Sequence, residues 1–121
     1  MKKLLFLLTS IILIFPSCEE TPQSGTVEYQ ITSDSDFFHL YYTNEYDNDI
    51  TEISNSNTWS KEVNGNKGDF VSLNFNEGGQ THGVTSGDGD VYVTMSISFN
   101  GNILNSYSGI TDYETIITEL Q

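Results

Sequence analysis

Apolar and polar residues alternate along this chain with a period of two. The clearest run is Val91 to Phe99. Val91, Val93, Met95, Ile97 and Phe99 fall on one side, and Tyr92, Thr94, Ser96 and Ser98 on the other. Successive side chains of a strand point to opposite faces, so the run predicts a strand with one buried face. Val27, Tyr29 and Ile31 alternate with Glu28, Gln30 and Thr32, and Val71, Leu73 and Phe75 with Ser72 and Asn74. Phe37 to Thr43 (FFHLYYT) is apolar on both faces, as a central strand would be. Thr58 to Val63 carries Trp59 and Val63 on one face with Lys61 between them, while Ile50 and Ile53 lie in a segment of ambiguous period. Asn100-Gly101 tolerates positive φ at both positions and predicts a two-residue hairpin turn, with Ile103 to Tyr107 returning. Gly- and Asn-rich stretches at 64–68, 77–79 and 86–89 supply further turns. In Tyr113 to Leu120 the β-branched Thr115, Ile116, Ile117 and Thr118 favour a strand over a helix. Seven to eight short strands without a helix predict an all-β fold, an antiparallel sandwich over residues 26–121.

The first twenty residues follow another rule. Lys2 and Lys3 precede an apolar stretch from Leu4 to Phe15, then Ser17 and Cys18. This is the layout of a secretory signal over residues 1–17, too short for a membrane span. The position of Cys18, the single cysteine of the chain, resembles a bacterial lipobox. That resemblance implies acylation of Cys18 and an anchor in the cell envelope, on the outer membrane at its periplasmic face or at the cell surface. Residues 18–25 then read as the lipidated cysteine and an acidic tether, EETPQSG.

Removal of the signal leaves about 100 residues, enough for one small core. All 17 acidic residues lie beyond Cys18, against Lys61 and Lys67 and no arginine, and the full chain carries a net charge of −13. Nucleic acid is excluded as a partner, because phosphate contacts need basic side chains. Asp47, Asn48 and Asp49, and Asp88, Gly89 and Asp90, are the densest oxygen clusters. Hard oxygen ligands suit Ca²⁺, so Asp47, Asp49, Asp88 and Asp90 are candidate ligands of a weak site, although turn formation accounts for the same residues. No other cofactor is indicated. His39 lies in an apolar strand and His82 in a loop, without the nucleophile elbow or metal spacing that would make either catalytic. The chain therefore reads as a non-enzyme. Among its aromatic residues, Tyr42, Tyr46 and Tyr92 are the candidate binding anchors, expected on the solvent side.

The order of the strands carries a resemblance. Val27-Glu28-Tyr29-Gln30-Ile31-Thr32, then Tyr41-Tyr42-Thr43-Asn44, Trp59-Ser60-Lys61, Gly68-Asp69-Phe70-Val71-Ser72-Leu73 and the Asn100-Gly101 turn resemble the MmpS family of small mycobacterial membrane proteins. The resemblance implies an immunoglobulin-like sandwich, and because such domains commonly bury one tryptophan, Trp59 is expected at its centre. It also implies an interaction module accessory to export pumps of the resistance-nodulation-division type, with an envelope protein or transporter as partner. Two features depart from the family. A cysteine stands in place of a membrane helix, and Thr58 stands where a proline precedes the tryptophan. The alternative reading is a cell-surface adhesin, or a lipoprotein that binds a glycan or a cation.

Overall fold

The computed structural model describes residues 23–77 and 91–121. The signal, Cys18, Asp88 and Asp90 lie outside the described residues. Eight strands are found among the described residues: β1 (Ser24–Ser33), β2 (Phe38–Thr43), β3 (Asp49–Ser54), β4 (Thr58–Asn66), β5 (Phe70–Asn76), β6 (Tyr92–Phe99), β7 (Asn102–Ile110) and β8 (Tyr113–Glu119). They form two antiparallel four-stranded sheets, β4-β1-β6-β7 and β3-β2-β5-β8. β1 begins at Ser24, two residues before the expected start of the domain. The ambiguous Ile50–Ile53 segment forms β3, the return strand β7 runs past Tyr107 to Ile110, and the last segment is a strand.

The two sheets make a β-sandwich, and β5 and β8, neighbours in one sheet, are separated in sequence by the β6-β7 hairpin, which adds to the other sheet beside β1. The hairpin's turn forms as its residues demand: Asn100 has φ 51° and Gly101 φ 86°. Asn100 also accepts the Thr26 N–H through Oδ1 at 2.9 Å, which ties the hairpin tip to β1.

The core lies between the sheets, and the period-two pattern determines its membership. Val27, Tyr29 and Ile31 of β1, with Val93, Met95, Ile97 and Phe99 of β6, face Phe38, Leu40 and Tyr42 of β2 and Val71, Leu73 and Phe75 of β5. Ile116 and Leu120 complete it. Among the described residues one buried polar contact crosses this layer: the Tyr29 hydroxyl donates to the Thr43 carbonyl at 2.7 Å. That carbonyl lies where the β2-β5 ladder ends, at Tyr42 opposite Leu73. Beyond it the Thr43 side chain takes over, and its Oγ1 accepts the Ser72 N–H at 3.0 Å.

Trp59 is not the centre of the sandwich. It sits on β4, an edge strand, half-buried against the core margin, because no further strand lies outside β4 to cover it. Its neighbours close the gap between the two edge strands β3 and β4. Its ring packs on Tyr42 at 5.5 Å between centroids, and Lys61 reaches over Tyr42 and pairs with Glu52 of β3 at 3.6 Å. At the opposite margin Asn105 of β7 donates to the Ile117 carbonyl of β8 at 2.9 Å and accepts the Ser106 N–H at 2.8 Å. One amide thus bridges the other pair of edge strands.

The facing assignment predicts unequal outcomes for neighbouring substitutions. Val93 is fully buried, so Val93→Asp loses roughly 2 kcal/mol of burial and adds an unpaired buried carboxylate. Together these approach the whole stability of a small domain, and the protein should be unfolded by circular dichroism and proteolysis. Thr94→Asp, on the exposed face, should stay within about 0.5 kcal/mol of the parent in urea unfolding.

Candidate functional site

The three tyrosines expected to form one binding face are in three different places. Tyr42 is a core residue with 4% exposure, so it does not serve as a surface anchor. Its ring lies between Tyr29 and Trp59, each about 5.5 Å away. Burial, then a hydrogen bond to Glu52 and the charge of that carboxylate, push its hydroxyl pKa up to about 12. Tyr46 is 74% exposed on the turn between β2 and β3. Tyr92 is exposed at the start of β6, next to the end of β1, where Ser33 opposes Val93. Tyr46 lies at the other end of the sandwich, beside the start of β1. There Glu45 accepts from Asn64 of β4, which opposes Thr26.

Asp47 and Asp49 belong to the same β2-β3 turn as Tyr46. Asn44 organises the turn, because its Oδ1 accepts the N–H groups of Tyr46 at 2.9 Å and Asn48 at 3.0 Å. Asp47 takes a left-handed φ of 64°, and Asp49 opens β3 opposite Thr43. Among the described residues no three histidine, cysteine or acidic side chains come together as a metal cluster.

The turn walls a cavity of about 520 Å³ at this end of the sandwich. Its floor is Thr43, Val63, Gly65 and Val71. A Cβ on Gly65 would stand 2.6 Å from Leu120 Cδ1 and 2.7 Å from Val27 Cγ2, so a larger residue there must displace those core side chains. The rim carries Asn44, Asp47, Asn64, Asn66 and Asp69, with Tyr46 and the 64% exposed Phe70.

A second feature is the outer face of β3-β2-β5-β8. Ile53, His39, Asn76 and Tyr113 stand in a row across the four strands, and Thr51, Tyr41, Asn74 and Thr115 form the next row. Asn74 and Asn76 point outward yet are only 2% and 5% exposed, since taller side chains flank them. Asn74 is satisfied by the Glu114 carbonyl at 3.2 Å and Thr115 Oγ1 at 2.9 Å. Tyr41 hydrogen-bonds to Thr115 and Tyr113, and burial raises its pKa. His39 packs edge-on with the Phe37 ring, and its Nδ1 is buried with no hydrogen-bond partner among the described residues. Phe37, Ile53, Tyr113 and Ile117 remain exposed on this face. The other sheet shows a different outer face, with Thr58, Ser60, Gln30, Thr32, Thr94, Ser96, Ser106 and Ser108 in register at its centre and the exposed Tyr92, Ile110 and Ile103 at its ends.

The tyrosine environment predicts an alkaline transition. Tyr42 and Tyr29 both ionise later in the folded chain than the ordinary tyrosine value of 10.0, chiefly because of burial. Above pH 10 the unfolded chain therefore holds fewer protons than the folded one, and stability falls as pH rises toward about 12. Tyr42→Phe keeps the ring packing and should make urea stability fall less steeply between pH 10 and 12 than in the parent. An unchanged slope would contradict the assignment.

No protein-family model matches this chain, and neither a curated protein nor a solved structure shows significant similarity to it.

Proposed function

We propose that this chain is a non-catalytic, lipid-anchored protein of the cell envelope that works by contact. Its contact surface is the outer face of β3-β2-β5-β8. The contrast between the two outer faces carries the reading. The centre of one face is a ladder of serines, threonines and glutamine, which water solvates well, and its exposed apolar residues stand only at the two ends, Tyr92 and Ile110 at one and Ile103 at the other. The other exposes Phe37, Ile53, Tyr113 and Ile117 beside the half-buried Tyr41 and His39. Apolar groups gathered on one rigid face, rather than scattered, mark a protein interaction site. The occupant on this reading is a folded envelope protein with an apolar centre and a basic rim, complementary to a chain of net charge −13. A component of an export pump fits that description and agrees with the MmpS-like order of strands. Acylation of Cys18 would hold the domain at the outer membrane, at its periplasmic face or at the cell surface, where such a partner is met.

The test is affinity isolation from detergent-solubilised envelopes of the source cells. The triple variant Phe37→Ser, Ile53→Ser, Tyr113→Ser should lose a partner that Gln30→Ala, Ser96→Ala retains, with both variants folded. Exposed aromatic anchors of this kind carry on the order of 2 kcal/mol each, so loss of Phe37 and Tyr113 together with Ile53 should remove capture. Cys18→Ala should abolish incorporation of a fatty-acid analogue and leave capture in detergent intact. Loss of the partner with the polar-face variant alone, or equal labelling of Cys18→Ala, contradicts the reading.

A further inference from the structure

We infer that the cavity at the β2-β3 turn is a sugar-binding site, for a neutral or amino sugar of one or two pyranose rings. This site is separate from the sheet face described above. Its volume of about 520 Å³ falls within the range of small-molecule sites. Its lining has the division of labour that a pyranose needs. The floor of Val63, Gly65 and Val71 is apolar, and Tyr46 and Phe70 stand exposed at the rim as flat surfaces for the C–H face of a ring.

The polar rim distinguishes this ligand from others. Glu45 is held by Asn64 Nδ2 at 3.2 Å, and Asp69 by the Asn66 N–H at 3.1 Å. Each of these two carboxylates is thus oriented by one hydrogen bond and keeps its negative charge. What remains at the rim is largely amide: Asn44 Nδ2, Asn64 Oδ1 and the Asn66 side chain, together with Asp47. Amides offer donors and acceptors side by side, and a hydroxyl needs both. A phosphate or uronic acid would meet Asp47, Glu45 and Asp69 and be repelled.

The site also has a fixed place relative to the start of the domain. The Gln23 carbonyl accepts the Lys67 N–H at 2.6 Å, so the β4-β5 corner of the cavity adjoins the entry of the chain. The six residues from Cys18 to Gln23 reach at most about 20 Å. An acylated Cys18 would therefore keep the cavity near the membrane, within range of the sugar of a glycolipid as well as a free saccharide.

The experiment uses the mature protein in a detergent without a sugar headgroup. It is titrated calorimetrically with cellobiose, lactose, chitobiose and its de-acetylated diamine, and mixed with phosphatidylcholine vesicles with or without glucosylceramide. At least one saccharide should bind saturably, and Tyr46→Ala and Asn64→Ala should each weaken it about tenfold or more at unchanged melting temperature. Vesicle binding that requires glucosylceramide and is lost in Tyr46→Ala identifies a lipid-linked source. Binding of the free disaccharide alone identifies a soluble one, and either result supports the site. Because Tyr46 and Asn64 are surface residues, folded variants are expected; Tyr46→Phe should retain binding and separates loss of the ring from loss of the turn. No saturable binding by any saccharide or vesicle overturns the inference. So does saccharide binding indifferent to both alanine variants, or saturable binding of tetralysine in place of the sugars.

Discussion

Two sheets with no disulfide between them are held face to face by one layer of side chains, and every other feature depends on that layer. The inner positions of β1 and β6 meet those of β2 and β5, and because strand side chains alternate, committing one face inward exposes the other. Among the described residues the layer holds one buried polar cross-link, from Tyr29 to the Thr43 carbonyl. That bond is available because the β2-β5 ladder stops at Tyr42 and the Thr43 hydroxyl serves Ser72 instead. The end of one ladder, the closure of the core and the start of the Asn44 turn therefore meet within a few residues. The cavity walled by that turn rests directly on the closed end of the core.

Four strands form the sheet margins, and the chain treats its two open sides differently. Between β3 and β4 the closure is charged and aromatic: Glu52, Lys61, Tyr42 and Trp59 pack together. Between β7 and β8 it is neutral, and Asn105 supplies it. Unpaired strand edges invite pairing with other chains, so bridging them leaves the sheet faces as the surfaces most available for contact. The strong negative charge keeps copies of the domain apart while leaving an apolar face exposed.

Most of the fold was legible in the sequence, and the candidate sites much less so, for physical reasons. Period two places Val93 or Leu73 inward without knowledge of any partner strand. The Asn100-Gly101 turn is equally local. Tyr42 was misplaced because Phe37 to Thr43 is apolar on both faces, and only pairing with β3 and β5 decides which residues face the core. Trp59 was placed at the centre because tryptophan is commonly buried in such sandwiches, but its burial depends on how many strands lie outside β4. Asn74, on the polar side of its strand in the sequence pattern, is buried by neighbours from other strands. The cavity joins residues near 45 with residues near 65 and 70, a proximity created by the return of β4 beside β1 and visible in no single segment.

The central claim is that the two outer faces, built from the same strand geometry, have different roles. Site-specific photo-crosslinking in living source cells tests this most directly. The crosslinking residue is placed at Ile53 or Tyr113 on one face and at Gln30 or Ser96 on the other. The account predicts a discrete protein adduct from Ile53 and Tyr113 and none from Gln30 and Ser96. Adducts confined to Gln30 and Ser96, or none from either face, would contradict it.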